Sequence, residues 1–183
     1  MKKREMKKSA QVNWYPYMYV YKGKKTFLLW QGENQQNCFM RNSNNLLVSA
    51  GSLVRLKRLV PRKNNNIKWS EHGELDLDSF WRALKHLKKG RASSKRTCNI
   101  LLNGFNFIED MLRTFDLKEA EKKLHVPLLD KAYKKLFWGS NLPSITPNEK
   151  SYHPLWLQRE ISILNSEFKA VWQTIRKKGY IVG

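Results

Sequence analysis

Cysteine is scarce in this chain: 183 residues carry two, Cys38 and Cys98. Two thiols make no disulfide framework, and their apolar neighbours mark them as small buried hydrophobes of a reducing compartment. Long apolar runs are also missing. The basic opening MKKREMKKSAQ leads into no hydrophobic stretch. Nowhere do about 18 uninterrupted apolar residues occur, so neither a secretory leader nor a membrane span is expected. These absences describe a cytoplasmic protein. Catalytic patterns are equally sparse. There is no Gly-rich phosphate loop and no G-x-S-x-G elbow. The four histidines, His72, His86, His125 and His153, lack the paired helical spacing of a zinc protease, and no cysteine pair brackets a zinc site. The expectation is a binding protein without cofactor, metal or catalytic residues.

Acid is missing in a patterned way. Lys plus Arg number 35 against 15 Asp plus Glu, a net charge of +20. Residues 34–70 hold no acid, nor do residues 79–108. Between them, WSEHGELDLDSFW at 69–81 carries Glu71, Glu74, Asp76 and Asp78 and no base. A basic surface with one acidic island suits recognition of a shaped, charged partner. Apolar residues make up 41% and aromatics 12%. That is ample for a packed core, and the length is that of one domain. Residues 1–10 read as a basic tail and 11–183 as a single domain.

Strand formers come first. Residues 14–21 (WYPYMYVY) and 26–31 (TFLLWQ) read as a hairpin turning at Lys22–Lys25, with Pro16 at an edge or a strand start. Asn37–Arg41 and Ile67–Trp69 are candidate short additions to the sheet. Helices follow. Ser52 begins a short amphipathic helix that Pro61 stops. Asp78 is the expected N-cap of a helix to Lys89 with Gly90 beyond it. Residues 97–115 place Leu101, Phe105, Ile108, Leu112 and Phe115 on one stripe, which predicts a central helix. Residues 128–138 and 155–178 complete the set, the last with a stripe from Leu157 to Ile175. The order predicts an α+β fold: a small antiparallel sheet from the N-terminal third, packed against four or five helices.

Candidate functional residues fall into four groups. Glu71, Glu74, Asp76 and Asp78 form an acidic surface for a partner. With His72 they could instead take a divalent ion, or simply open a helix N-terminus. Arg82, Lys85, Lys88 and Lys89 form a basic helix face, with the last three as contact residues. Asn103, Asn106, Glu109 and Asp110 read as a binding or proton-transfer cluster, or as a polar network orienting helices. Trp14, Tyr15, Tyr17, Tyr19 and Tyr21 could stack nucleic-acid bases, or fill the core. Glu121 and Lys123 have the spacing of a metal-nuclease pair, but in a polar helical context that argues against that use.

Five stretches together carry a resemblance: WYPY at Trp14–Tyr17, ASSKRTC at Ala92–Cys98, LLNGFNFIEDM at Leu101–Met111, KLFWGSNLP at Lys135–Pro143 and SYHPLW at Ser151–Trp156. In this order they resemble immunity proteins of bacterial contact-dependent growth inhibition systems. The resemblance implies a cytosolic, non-catalytic protein. It would bind the C-terminal toxin domain of a sibling cell's surface effector one to one, commonly a nuclease, and cover its active site. The resemblance transfers no binding residues. Such inhibitors often offer acid to a basic toxin; here either the toxin presents an acidic face or the island at Glu71–Asp78 makes the contact. A basic nucleic-acid-binding module is the alternative reading.

Overall fold

The computed structural model describes residues 13–32, 37–60, 66–142 and 151–177. The basic stretch 1–10, Pro61, Pro143, Pro147 and Gly179 lie outside them. Strands β1 (Tyr15–Tyr21) and β2 (Lys24–Gln31) form the expected hairpin. Its turn is two residues long, with Lys22 at φ 51° and Gly23 at φ 72°. Two positive φ values give the turn whose twist matches that of the strands. Gly23 adopts it freely, while Lys22 does so against its own Cβ.

Strand β3 (Cys38–Phe39) joins the free side of β2, and β4 (Gly73–Asp76) joins β1, giving the order β3-β2-β1-β4. Because β4 runs parallel to β1, the sheet is mixed and not antiparallel as expected. The misreading has a physical source. Gly-Glu-Leu-Asp offers one apolar residue and three poor strand formers, and its acids resemble a helix start. Pro16 pairs only with Leu29, ahead of the Tyr17–Val20 stretch that has strands on both sides. The interior of the sheet thus keeps its donors.

The described residues hold six helices, the first of them between β3 and β4: α1 (Leu53–Leu59), α2 (Leu77–Lys85), α3 (Lys95–Thr114), α4 (Lys118–Leu124), α5 (Pro127–Gly139) and α6 (Gln158–Lys177). Helix α4 is the one the sequence pattern did not separate. It is a short amphipathic helix of seven residues, set off from α3 by Asp116 at φ 54°. Ser52 and Ser94 cap α1 and α3 by accepting the amide hydrogens of Arg55 and Thr97.

α3 lies at the centre, against β3 and β4 on one side and α2, α4, α5 and α6 around the rest. The odd residues of β1 face it. Tyr17 stacks on Phe107 at 5.8 Å, Tyr19 meets the same ring at 5.3 Å, and Tyr21 meets Trp172 edge-on at 5.2 Å. Three of the tyrosines considered for base stacking are thus engaged with the core. On the opposite face Leu29, Met40, Leu56 and Val60 form a second, smaller cluster beneath α1.

Helix α6 begins at Gln158, three residues after the expected start at 155, because residues 154–156 are held by the segment 89–93. Gly90 N–H donates to the Trp156 carbonyl (3.0 Å) and Ser93 N–H to that of Pro154 (3.0 Å). The Trp156 indole, 1% exposed, donates to Ser93 Oγ at 2.7 Å. Leu157 is consequently exposed, while Ile161, Leu164, Phe168, Trp172 and Ile175 are buried as the stripe requires.

Candidate functional site: an acidic strand edge with an aromatic pocket

The acidic island does not act as one unit. Asp76, not Asp78, caps α2: Oδ1 accepts the Ser79 N–H at 2.9 Å and Oδ2 accepts the Ser79 hydroxyl at 2.5 Å. Burial alone would raise the Asp76 carboxyl; the Ser79 hydrogen bonds and Arg82 outweigh it and hold it below its ordinary value. Asp78 reaches the hairpin turn, where its two oxygens accept the N–H groups of Lys22 and Gly23, both at 2.8 Å. That contact stabilises the Lys22 conformation. Glu71 and Glu74 are exposed, and their carboxylates make no hydrogen bond or ion pair among the described residues; the Glu71 N–H donates to the Lys68 carbonyl at 3.1 Å. These four acids and His72 do not converge on one point.

Glu71 and Glu74 flank an open edge. Among the described residues β4 is hydrogen-bonded to β1 on one side only, as the last strand of the sheet. Leu75 turns into the core, so Glu74 and Asp76 project from the other face. Glu71 and His72, just ahead of β4, and Gly73 at its start join Tyr15, Tyr17 and Trp30 around a cavity of about 240 Å³. Trp30 pairs directly across from Tyr15, and Gly73 across from Tyr17. A Cβ at Gly73 would stand 2.6 Å from the Tyr17 ring, so this wall exists only because position 73 has no side chain.

Asp110 lies behind this pocket. Its Oδ2 accepts the Trp30 indole N–H at 2.9 Å, and Arg113 stands 3.8 Å from Oδ1. Burial raises the Asp110 carboxyl to about 6, although the Trp30 bond and Arg113 oppose the rise. Burial first, then the Asp110 charge, push the Tyr17 hydroxyl upward. A carboxyl raised on folding binds its proton more tightly in the native state. Stability therefore rises as pH falls from about 6 towards 4, and is lowest above that window. Asp110→Asn keeps an acceptor for Trp30 without the buried charge. It is expected to raise stability at pH 8 by about 1–3 kcal/mol, and by much less at pH 4.5. Urea unfolding at the two pH values checks this; an equal effect at both would refute the raised pKa.

The polar residues of α3 knit helices together. Arg113 bonds Glu109 at 2.5 Å and Glu121 of α4 at 2.9 Å. His125 Nε2 lies 2.9 Å from Glu109 and its Nδ1 lies 3.7 Å from Asp130. Asn106 accepts the Tyr133 hydroxyl of α5, while Asn103 is exposed. Glu109, Glu121 and His125 place potential ligand atoms within 4.8 Å of one another. Arg113 already supplies the positive charge there, bonding both carboxylates. Glu121 thus works in an ion-pair network and not with Lys123. Cys98 is buried and its thiol is pushed up to about 11 by burial; Cys38 is half-buried and also raised, by burial and then by Asp110. Neither is a thiolate at neutral pH.

The basic helix face is shorter than the sequence suggests. α2 ends at Lys85, and Lys88 and Lys89 lie on the segment that follows, where Lys89 bridges Trp156. All three are exposed. Three of the five resemblance stretches meet here. Ala92 and Ser93 pair with Leu155 and Pro154, and Cys98 lies under Gly139, whose added Cβ would meet its sulfur at 2.5 Å. Asn141 holds Tyr152 by two hydrogen bonds, of 2.8 and 3.0 Å. The stretches thus form one structural joint, with Trp138, Leu142, Tyr152, Leu155 and Leu157 left exposed around it. No protein-family model, curated protein or solved structure matches this chain. No helix among the described residues is long and apolar enough to cross a membrane.

Proposed function

We propose that this chain is an immunity protein that binds a toxin domain and covers its active site, using the acidic edge at β4 as its contact. One observation carries the reading: on a chain of net charge +20, the Glu71 and Glu74 carboxylates have no partner among the described residues and stand beside a strand edge that no described strand covers. An open edge offers backbone hydrogen bonds to an incoming strand, and the acids select a basic one. The ordered sequence stretches support the same class. Lys85, Lys88 and Lys89 are the second contact surface, suited to an acidic face on the same partner.

The test is a pull-down of the tagged protein from lysate of its own organism in about 300 mM salt, where the screening length is roughly 6 Å. The expected result is one stoichiometric protein, the C-terminal toxin domain of a large surface protein, whose activity an equimolar amount of this chain abolishes. Nucleic acid retained at that salt without a protein partner would overturn the reading in favour of a nucleic-acid-binding module. Charge reversal maps the surface. Asp76 and Asp78 hold the α2 cap and the hairpin turn, so reversing them would confuse binding with folding. Glu71→Lys with Glu74→Lys is the clean variant. It is expected to weaken the complex at least about tenfold, chiefly by slowing association at low salt. Lys85→Glu with Lys88→Glu and Lys89→Glu reports on the other face.

A further inference from the structure

We propose that the pocket formed by Tyr15, Tyr17 and Trp30, with Glu71 at its rim, receives an arginine side chain presented by the protein partner. The inference rests on the functional reading above and names the chemistry of its contact. The walls are three aromatic rings, Trp30 lying 6.3 Å from Tyr15 and 6.5 Å from Tyr17 at tilts of 51° and 46°. Tilted rings around a cavity of about 240 Å³ leave a space that a planar group enters against a ring face. Aromatic faces attract cations, and more so where water is excluded. Two negative groups adjoin these rings: Glu71 lines the pocket, and Asp110 accepts the indole N–H of Trp30 from behind. Polarising that N–H towards a carboxylate makes the indole face more electron-rich.

The surroundings point the same way. Lys22, Arg41, Lys57 and Lys135 each stand over an aromatic ring of this chain, those of Tyr21, Phe115, Trp69 and Trp156. Among the described residues none stands over Tyr15, Tyr17 or Trp30, and residues 69–81 contain no base. Among the described residues the chain supplies no cation to these three rings, which leaves the site open to one brought by a partner. Arginine fits better than lysine, since its flat guanidinium can lie on a ring while its edge forks onto the Glu71 carboxylate. His72, the remaining titratable group at the rim, is exposed.

The experiment has two arms. In the first, the full-length protein labelled with ¹⁵N is titrated with N-acetyl-arginine amide, reading the assigned Trp30 indole resonance. The expected result is a saturable shift that N-acetyl-citrulline amide, isosteric and uncharged, does not produce. Glu71→Lys and Tyr15→Leu should each weaken it about fivefold or more. No shift, or an equal shift with citrulline, overturns the inference. In the second arm the same variants are measured against the toxin domain. A complex that forms and is weakened about tenfold by either variant supports both readings. A complex unaffected by them removes the pocket and leaves the proposed function. Saturable arginine binding with no toxin complex removes the function and leaves the pocket. Glu71→Lys carries little folding risk, because the Glu71 side chain is exposed and makes no hydrogen bond or ion pair among the described residues, and its backbone bond to Lys68 survives the change.

Discussion

Lys135→Ala is expected to destabilise the protein by about 3–5 kcal/mol, the cost of stranding a buried charge. Glu160 is 3% exposed, and its Oε2 accepts both the Lys135 ammonium at 2.7 Å and the Leu157 N–H at 2.9 Å. The second bond closes the first turn of α6, a glutamate reaching back to the residue before the helix. Lys135 also donates to the Leu155 carbonyl at 2.8 Å and stands over the Trp156 ring at 5.7 Å. One ammonium thereby ties α5 to the start of α6 and to the segment that carries Trp156. Removing it leaves the Glu160 carboxylate with a single backbone donor and no countercharge. For a chain of this size the melting temperature should fall by roughly 6–20 °C. The double variant Lys135→Met with Glu160→Gln removes both charges and keeps an acceptor for Leu157, so it should recover most of the loss. Thermal unfolding of the three proteins decides the matter. An unmoved midpoint in Lys135→Ala would mean that water reaches Glu160, and that the pair is worth no more than a surface one.

That ion pair shows what a sequence hides. Lys135 and Glu160 are 25 positions apart, in segments whose apolar stripes were both legible. Stripes fix which side of a helix is buried, so the central place of α3 and the inward face of α6 followed from spacing alone. They do not fix which polar groups meet once helices pack. The hairpin was legible for the same local reason: two aromatic and β-branched runs around a lysine–glycine turn. β4 was not, because its identity comes from pairing with β1 and not from its own four residues. With it went the jobs of Asp76 and Asp78, one turned to a helix cap and the other to a distant turn. The candidate site divides along the same line. Glu71 and Glu74 stood out by charge. The aromatic pocket needed Trp30 opposite Tyr15 and Gly73 beside Tyr17, which are facts of register across three strands.

Gly104→Ala should be among the most damaging single-carbon additions to this chain. Gly104 lies in the middle of α3, where alanine would by itself favour the helix by about 1 kcal/mol. A Cβ there would stand 2.1 Å from Phe80 Cδ2 and 2.6 Å from Cγ, far inside contact distance. Relief would require the Phe80 ring to move, and it is fully buried. Its edge meets Phe168 at 5.3 Å and Trp81 at 4.9 Å, so both directions of retreat are filled. Overpacking of this kind costs about 1–3 kcal/mol and sometimes more. With no flexible side chain to yield, the upper end applies, and a net loss of about 2 kcal/mol is expected after the helix gain. Phe80→Leu should also destabilise alone by leaving a void, yet it vacates the space the new methyl needs. The two changes together should therefore cost less than their sum, a favourable coupling between touching residues. A urea double-mutant cycle measures that coupling. Additive losses would mean that α2 shifts away from α3 as a body, and that Gly104 is not what sets their distance.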